Sequence, residues 1–271
     1  MPELTRRDLL RGAVGAATAI GVGVGVAGWD DEADAAARPD PVEVMPGLAI
    51  HPREAWGADL PPVGPIQPEE PLFLLVHHTQ SPNSYPAGGD RNVIRSVYGY
   101  HTGPDKRWPD VCYQFFIGRD GDIWEGRAGA LDGPVMADAT GGSQGWGQLV
   151  CLLGDFTSVP PTAAARAALV QLLAWLAQRY SIETGPGATA SFVSRGSNKF
   201  SAGTNITVAT VSGHRDVTYT ECPGNTFYPD VHATLPADVH AWRLAHPLPL
   251  PPVDPTGLRP AARLARRNTR F

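Results

Sequence analysis

Two short segments of the chain carry side chains that bind metals. Val76-His77-His78-Thr79 ends a continuous apolar run, and Gly213-His214-Arg215-Asp216 follows a second, with Thr220-Glu221-Cys222-Pro223-Gly224 close behind. Singly, a histidine at a strand end reads as a hydrogen-bonded structural residue, and a single cysteine as a small buried hydrophobe. Together, at turns after expected strands, a histidine of the His77-His78 pair, His214 and Cys222 form a candidate zinc ligand set. Three protein ligands leave one tetrahedral position for water, as in catalytic rather than structural zinc sites. A metal held that way lowers the pKa of water from about 15.7 to about 7 and polarises a carbonyl oxygen.

The elements that must position these residues are legible in outline. Leu72 to Val76 is apolar throughout, the mark of a strand buried on both faces. Asp90 to Tyr100 reads as a short helix with Val93, Val97 and Tyr100 on one side. Val111 to Gly118 and Asp122 to Glu125 read as strands, joined at Arg119-Asp120-Gly121 by an Asp-Gly hairpin signal. Gln148 to Leu153 is another apolar strand. Pro161-Thr162 opens a helix to about Tyr180, with Leu169, Leu172, Leu173 and Leu176 at core-facing spacing. Gly185 to Asn205 reads as a long Gly/Ser/Thr-rich loop, and Ile206 to Val211 as a strand. A last helix begins near Thr226, with a break or restart at Pro236. Alternating strands and helices with one hairpin indicate a single α/β domain, a mixed central β-sheet with flanking helices.

Composition fits that class. Of 271 residues, 42% are hydrophobic and 18% charged, with 22 Lys+Arg against 27 Asp+Glu. That charge is too acidic for a general nucleic-acid binder, so no nucleic-acid partner is expected. Gly 30 and Pro 27 imply long ordered loops, and three cysteines are too few for a disulfide scaffold. Cys112 and Cys151 fall on separate expected strands, where they are either a disulfide or two buried thiols.

Both ends differ from the middle. Thr5-Arg6-Arg7-Asp8-Leu9-Leu10-Arg11 places paired arginines before a weakly apolar stretch from Gly12 to Gly28. Ala33-Asp34-Ala35 then offers a small-x-small cleavage site. Residues 1–35 therefore read as a twin-arginine signal peptide, and the mature protein is expected to be secreted and monomeric, with no stable membrane insertion. Residues 36–50, with Pro39, Pro41 and Pro46, read as a linker before a domain at 51–246. Residues 247–271 form a Pro-rich tail that ends in Arg259, Arg263, Arg266, Arg267 and Arg270.

The wording around the ligand candidates resembles a known family. Arg53-Glu54-Ala55-Trp56-Gly57-Ala58, the His-His-Thr at 77–79 and Tyr100-His101 come first. Trp108-Pro109-Asp110-Val111-Cys112-Tyr113-Gln114-Phe115, Glu125-Gly126-Arg127, Gly154-Asp155-Phe156 and the block from Gly213 to Gly224 follow. In that order they are similar to the zinc N-acetylmuramoyl-L-alanine amidases of the peptidoglycan recognition protein and phage-lysozyme type. The resemblance covers roughly residues 50–235. It implies a substrate groove above a Zn2+ held by His77, His214 and Cys222, with His78 outside the ligand set because adjacent strand residues face opposite ways. It implies that Tyr113 faces the metal-bound water or the tetrahedral intermediate and that Thr220 lies beside the oxyanion. Peptidoglycan muropeptides are the implied partner, and cleavage between N-acetylmuramic acid and L-alanine the implied reaction. The alternative is a non-catalytic recognition module, a kind that typically lacks the cysteine. Two departures touch the groove wall: Asp138 stands where many relatives carry His, and an Asn usual a few residues later has no clear counterpart among Gly141 to Trp146. The stretch 185–205 is an extension relative to the shortest relatives.

The export reading has a direct test. Replacing Arg6 and Arg7 by Lys keeps the charge but removes the paired guanidinium groups, so precursor should accumulate inside the cell. Fractionation showing normal secretion of that double variant would overturn it.

Overall fold

The computed structural model describes residues 38–248. The expected signal peptide lies outside the described residues, as does nearly all of the expected tail. The described residues from Pro39 to Leu248 belong to one unit. Its centre is a five-stranded sheet of order β5-β4-β6-β3-β9, built from β3 (Phe73–His78), β4 (Phe115–Ile117), β5 (Ile123–Glu125), β6 (Gly147–Leu152) and β9 (Val211–Gly213). β3, β4, β6 and β9 pair in parallel, and only β5 runs antiparallel at its edge. The mixed sheet is therefore as expected, and β3, flanked on both sides, is buried at every position.

Alternation along the strands builds two cores. Leu74, Val76, Phe115, Ile117, Val150 and Leu152 face one side, under α3 (Ala163–Arg179). Thr162 caps α3 by accepting the Ala165 amide at 3.1 Å, and Leu169, Leu172, Leu173 and Leu176 are fully buried. Phe73, Leu75, Phe116, Leu149 and Cys151 face the other side, against α1 (Glu54–Gly57) and α2 (Asp90–Thr102). On α2 the buried residues are Asp90, Ile94, Tyr98 and His101, while Val93 and Val97 pack at the margin and Tyr100 is exposed. The expected face is rotated because Asp90 and His101, polar by type, are buried through hydrogen bonds. The described residues close with α4 (His214–Val217), α5 (Tyr228–Ala233) and α6 (Leu235–Ala245), and Pro236 sits in the first turn of α6 as a restart.

Two expectations are corrected. Residues 36–50 are not merely a linker: β1 (Val42–Met45) and β2 (Leu48–Ile50) form an antiparallel hairpin. Met45, Leu48 and Ile50 turn into the core, and Gly47, at φ +79°, makes the turn. The prolines mask a short alternating pattern. Likewise 185–205 is not a loop throughout, because β7 (Thr189–Val193) pairs with β8 (Asn205–Ala209) in a second hairpin. Its inward positions are Phe192, Ile206 and Val208, with Ser and Thr on the outer face. The strand expected over 206–211 divides at Thr210 into β8 and β9. Cys112, Cys151 and Cys222 are all buried free thiols. No helix among the described residues is long and apolar enough to cross a membrane.

One buried carboxyl ties the irregular lead-in of β3 to the sheet. Glu69 Oε1 accepts from Gln148 Nε2 at 2.6 Å and Gln114 Nε2 at 3.3 Å, and Gln114 Oε1 accepts the Leu149 amide at 2.8 Å. Burial pushes the Glu69 carboxyl up to about 8, against smaller lowering by Gln148 and the charge of Arg127. The folded chain thus holds a proton that the unfolded chain has released above the ordinary glutamate value. The neutral carboxyl's contribution to stability is complete below about pH 4.5 and declines as pH rises toward 8. Urea titrations with chelator present should show the parent losing stability relative to Glu69→Gln between about pH 5 and about pH 8. The difference should grow by at most about 1.4 kcal/mol per pH unit. Parallel pH profiles for the two would show that Glu69 is ionised in the fold.

Candidate metal centre

His77 is the fifth residue of β3 and points to the α2 side of the sheet, with Cys151 as its register neighbour on β6. His214 follows β9, which pairs in parallel with the same strand, Val76 opposite Gly213. The next residue on each strand is therefore a histidine, and the two rings stand 4.3 Å apart between centroids. Cys222 closes the set from the loop after α4. One ligand atom from each of His77, His214 and Cys222 lies within 4.8 Å of the others. The loop can approach because Gly213 has no side chain: a Cβ there would meet the Pro223 ring and the Tyr228 ring at 3.2 Å. Gly224, at φ +107°, lies so close to the Phe156 backbone that a Cβ would sit 2.4 Å from its carbonyl.

The three donors are chemically ready for a divalent cation. Burial, followed by the neighbouring His214 and His78, holds His77 well below the ordinary imidazole value, and burial lowers His214 to about 4. Both rings are neutral near pH 7, with lone pairs free. His77 Nε2 is buried and has no protein hydrogen-bond partner. The Cys222 sulfur lies 3.6 Å from His77 Nδ1 and accepts the His78 amide at 3.4 Å. Without a cation, burial pushes this thiol up to about 12, against lowering by that amide and by Arg215. A bound zinc ion would reverse that balance and take the thiolate. Two neutral imidazoles and a buried thiol on three separate segments suit zinc by donor type.

His78 lies on the opposite face, as expected. Its Nδ1 accepts the Phe156 amide at 3.3 Å, and its ring packs 6.0 Å from that of Phe156, on the α3 side. Tyr113 stands beside the cluster, its ring 5.1 Å from that of His77. It lies just before β4 rather than within a strand running from Val111, held by the bond from the Arg127 amide to its carbonyl at 2.9 Å. Burial, then the nearby thiols, raises its phenol well above the usual value, so the group remains an O–H donor. Thr220 is half-buried two residues before Cys222, and its hydroxyl accepts the Cys222 amide at 3.2 Å. That bond orients the backbone of the sulfur donor.

The remaining motif residues form the bed under Tyr113. Arg53 pairs with the buried Asp110 at 2.9 Å, stacks on Trp56 and donates to the Gly126 carbonyl. Trp56 Nε1 donates to the Glu125 carbonyl at 2.6 Å, and Glu125 accepts the Arg53 amide. His101 Nδ1 accepts the Cys112 amide at 3.2 Å, and its ring meets Tyr113 edge-on at 5.7 Å. The role of His101 was missed from sequence, where it figured only in the Tyr100-His101 motif of the resemblance. Asp138, one of the two departures from the family pattern, holds Arg127 through a 2.6 Å ion pair.

Comparison with known proteins agrees with this geometry. The family model described as N-acetylmuramoyl-L-alanine amidase matches residues 67–225, more than half of the chain. A human N-acetylmuramoyl-L-alanine amidase is 32% identical over 192 residues, covering 69% of this chain and 28% of the relative. The chain thus spans little more than a quarter of that relative's length. Among solved structures, Drosophila peptidoglycan recognition protein SD aligns with a TM-score of 0.52 at 19% identity, covering 68% of this chain and 93% of its own. A human peptidoglycan recognition protein domain, in complex with glycosamyl muramyl pentapeptide, aligns at 0.51 and 22% identity over 68% of this chain and 95% of its own. At those identities the two structures establish the fold. The family match over residues 67–225 contains every donor of the cluster, and the chain belongs to the N-acetylmuramoyl-L-alanine amidase family.

Proposed function

We propose that this chain is a zinc-dependent hydrolase that cleaves the amide between N-acetylmuramic acid and L-alanine in peptidoglycan. The observation that carries the reading is the convergence of His77, His214 and Cys222 beside a buried, protonated Tyr113. When bound there, zinc supplies an acidified water and a polarised carbonyl oxygen. The chain's own residues do the rest. His77 and His214 present neutral imidazoles, and the His78 amide steadies the sulfur of Cys222. The Tyr113 hydroxyl donates to the carbonyl oxygen as negative charge develops on it, and is already in place before that charge appears. Water's oxygen joins the lactyl carbonyl carbon and the C–N bond breaks, while the proton that this water gives up passes to the leaving amine, relayed by Tyr113, Thr220 or a further water. A substrate outside the membrane accords with export through the paired arginines at 6 and 7, which we propose with it.

Tyr113→Phe keeps the ring, and with it the packing against His77 and Phe116. Its zinc content should stay near one per chain while kcat falls roughly 100-fold or more, the effect of one lost oxyanion donor. A parental rate would make Tyr113 a packing residue only.

Cys222→Ser separates cutting from mere recognition. A serine hydroxyl stays protonated near neutrality and is a poor zinc ligand. The variant should lose zinc to a chelator, release no free stem peptide and still bind muropeptides within about tenfold, or about 1.4 kcal/mol. Elemental analysis, mass spectrometry of digests and calorimetry read the three outcomes. Full hydrolysis with zinc retained would remove Cys222 from the ligand set. Binding without cleavage by the zinc-loaded parent would leave the recognition-module reading.

A further inference from the structure

The β7–β8 hairpin precedes β9 directly in the chain, and its tip folds back over the segment that follows β9. That segment links two of the three donors. It begins as α4, a single turn closed by one bond from the Thr218 amide to the His214 carbonyl. A helix so short leaves its last carbonyls, those of Arg215, Asp216 and Val217, with no partner of their own inside it. The hairpin tip takes all three. Lys199 Nζ donates to the Arg215 carbonyl at 2.9 Å and to the Asp216 carbonyl at 3.0 Å, and Ser197 Oγ donates to the Val217 carbonyl at 3.0 Å. Asn198 then reads the Tyr219 backbone both ways: Nδ2 donates to its carbonyl at 3.0 Å, and Oδ1 accepts its amide at 2.8 Å. The Lys199 ammonium also sets positive charge at the negative end of the turn.

The tip is itself held in shape. Ser197 Oγ accepts the amides of Lys199 at 3.2 Å and Phe200 at 3.0 Å, and the Arg195 amide donates to the Gly142 carbonyl at 2.8 Å. Between His214 and Cys222, residues 215, 216, 217 and 219 are therefore all fixed from outside by one ordered turn.

We propose that Ser197, Asn198 and Lys199 are positioning residues for the donor pair His214 and Cys222, an external cap that holds the linking segment at the spacing a metal needs. The proposal rests on the reading of the cluster as a metal site and adds the device that preorganises it. Without the tip, the linking segment loses its carbonyl partners to water, and the two donors sample separations at which they cannot bind one ion together.

Lys199→Met keeps the aliphatic stem and removes every donor, and Asn198→Ala removes the reciprocal pair without touching Lys199. Hydrogen exchange on the full chain with zinc chelated reads the brace without any metal. Amide exchange at Thr218 and Tyr219 should quicken about tenfold or more in each variant, while β3 and β6 amides keep parental rates. Zinc release from the loaded chain to a chromophoric chelator should quicken roughly tenfold to a hundredfold, as for lost groups that orient metal ligands. Parental exchange at Thr218 and Tyr219 in both variants would overturn the proposal, and so would faster exchange with an unchanged zinc release rate. A parent chain that takes up no zinc would instead sink the metal reading, and the exchange comparison would still judge the brace.

Discussion

Everything at the site depends on the register between two parallel strands. Val76 lies opposite Gly213, so His77 and His214 leave β3 and β9 side by side at the same end of the sheet. Parallel strands direct their carboxyl ends toward one edge, where open α/β sheets place their ligands. A slip of one residue would turn His77 to the α3 side and bring His78 toward the cluster. What opposes it is the packing on both faces: Leu74 and Val76 fill one core and Phe73 and Leu75 the other, and a slip would exchange the two sets. The hydrophobic pattern of a strand with no charged residue thus fixes the spacing of two imidazoles.

The donors were legible in the sequence because their types are rare and their places, at the ends of apolar runs, are informative. The central sheet and α3 were legible for the same reason, through apolar runs and leucine spacing. What escaped were elements whose pattern is diluted. Met45, Leu48 and Ile50 alternate across a Pro-Gly turn too short to stand out among prolines. Phe192, Ile206 and Val208 sit among Ser, Thr and Gly, so their strands read as loop. The roles of Asp90 and His101 were illegible in principle, because burial of a polar residue on a helix depends on partners brought from elsewhere: Trp124 Nε1 for Asp90 and the Cys112 amide for His101.

Two buried arginines, Arg53 and Arg127, are each paired with an aspartate in the segments around Tyr113. Beneath it, Arg53 and Asp110 are both buried, and burial raises the Asp110 carboxyl despite the facing guanidinium. A pair of this kind defines geometry more than it adds stability, since desolvation consumes much of the attraction. Its value here is directional, because Asp110 also accepts the Val111 and Ala128 amides and so orders the turns on both sides of Tyr113. The Arg127–Asp138 pair does similar work, with Asp138 partly exposed and its Oδ2 committed to Arg127.

The sulfur of Cys222 and the ring of His77 touch across 145 positions of sequence. An ion shared between them is a cross-link that closes most of the domain into one loop, restraining the unfolded chain far more than a local site would. It also sets an order of events. A chain still emerging from the ribosome offers His77 early but lacks both other donors until β9 has been made and has added to the edge of the sheet. Metal capture at this cluster would therefore be a late step in the life of the polypeptide, and an ion held there would report that β9 has found its neighbour.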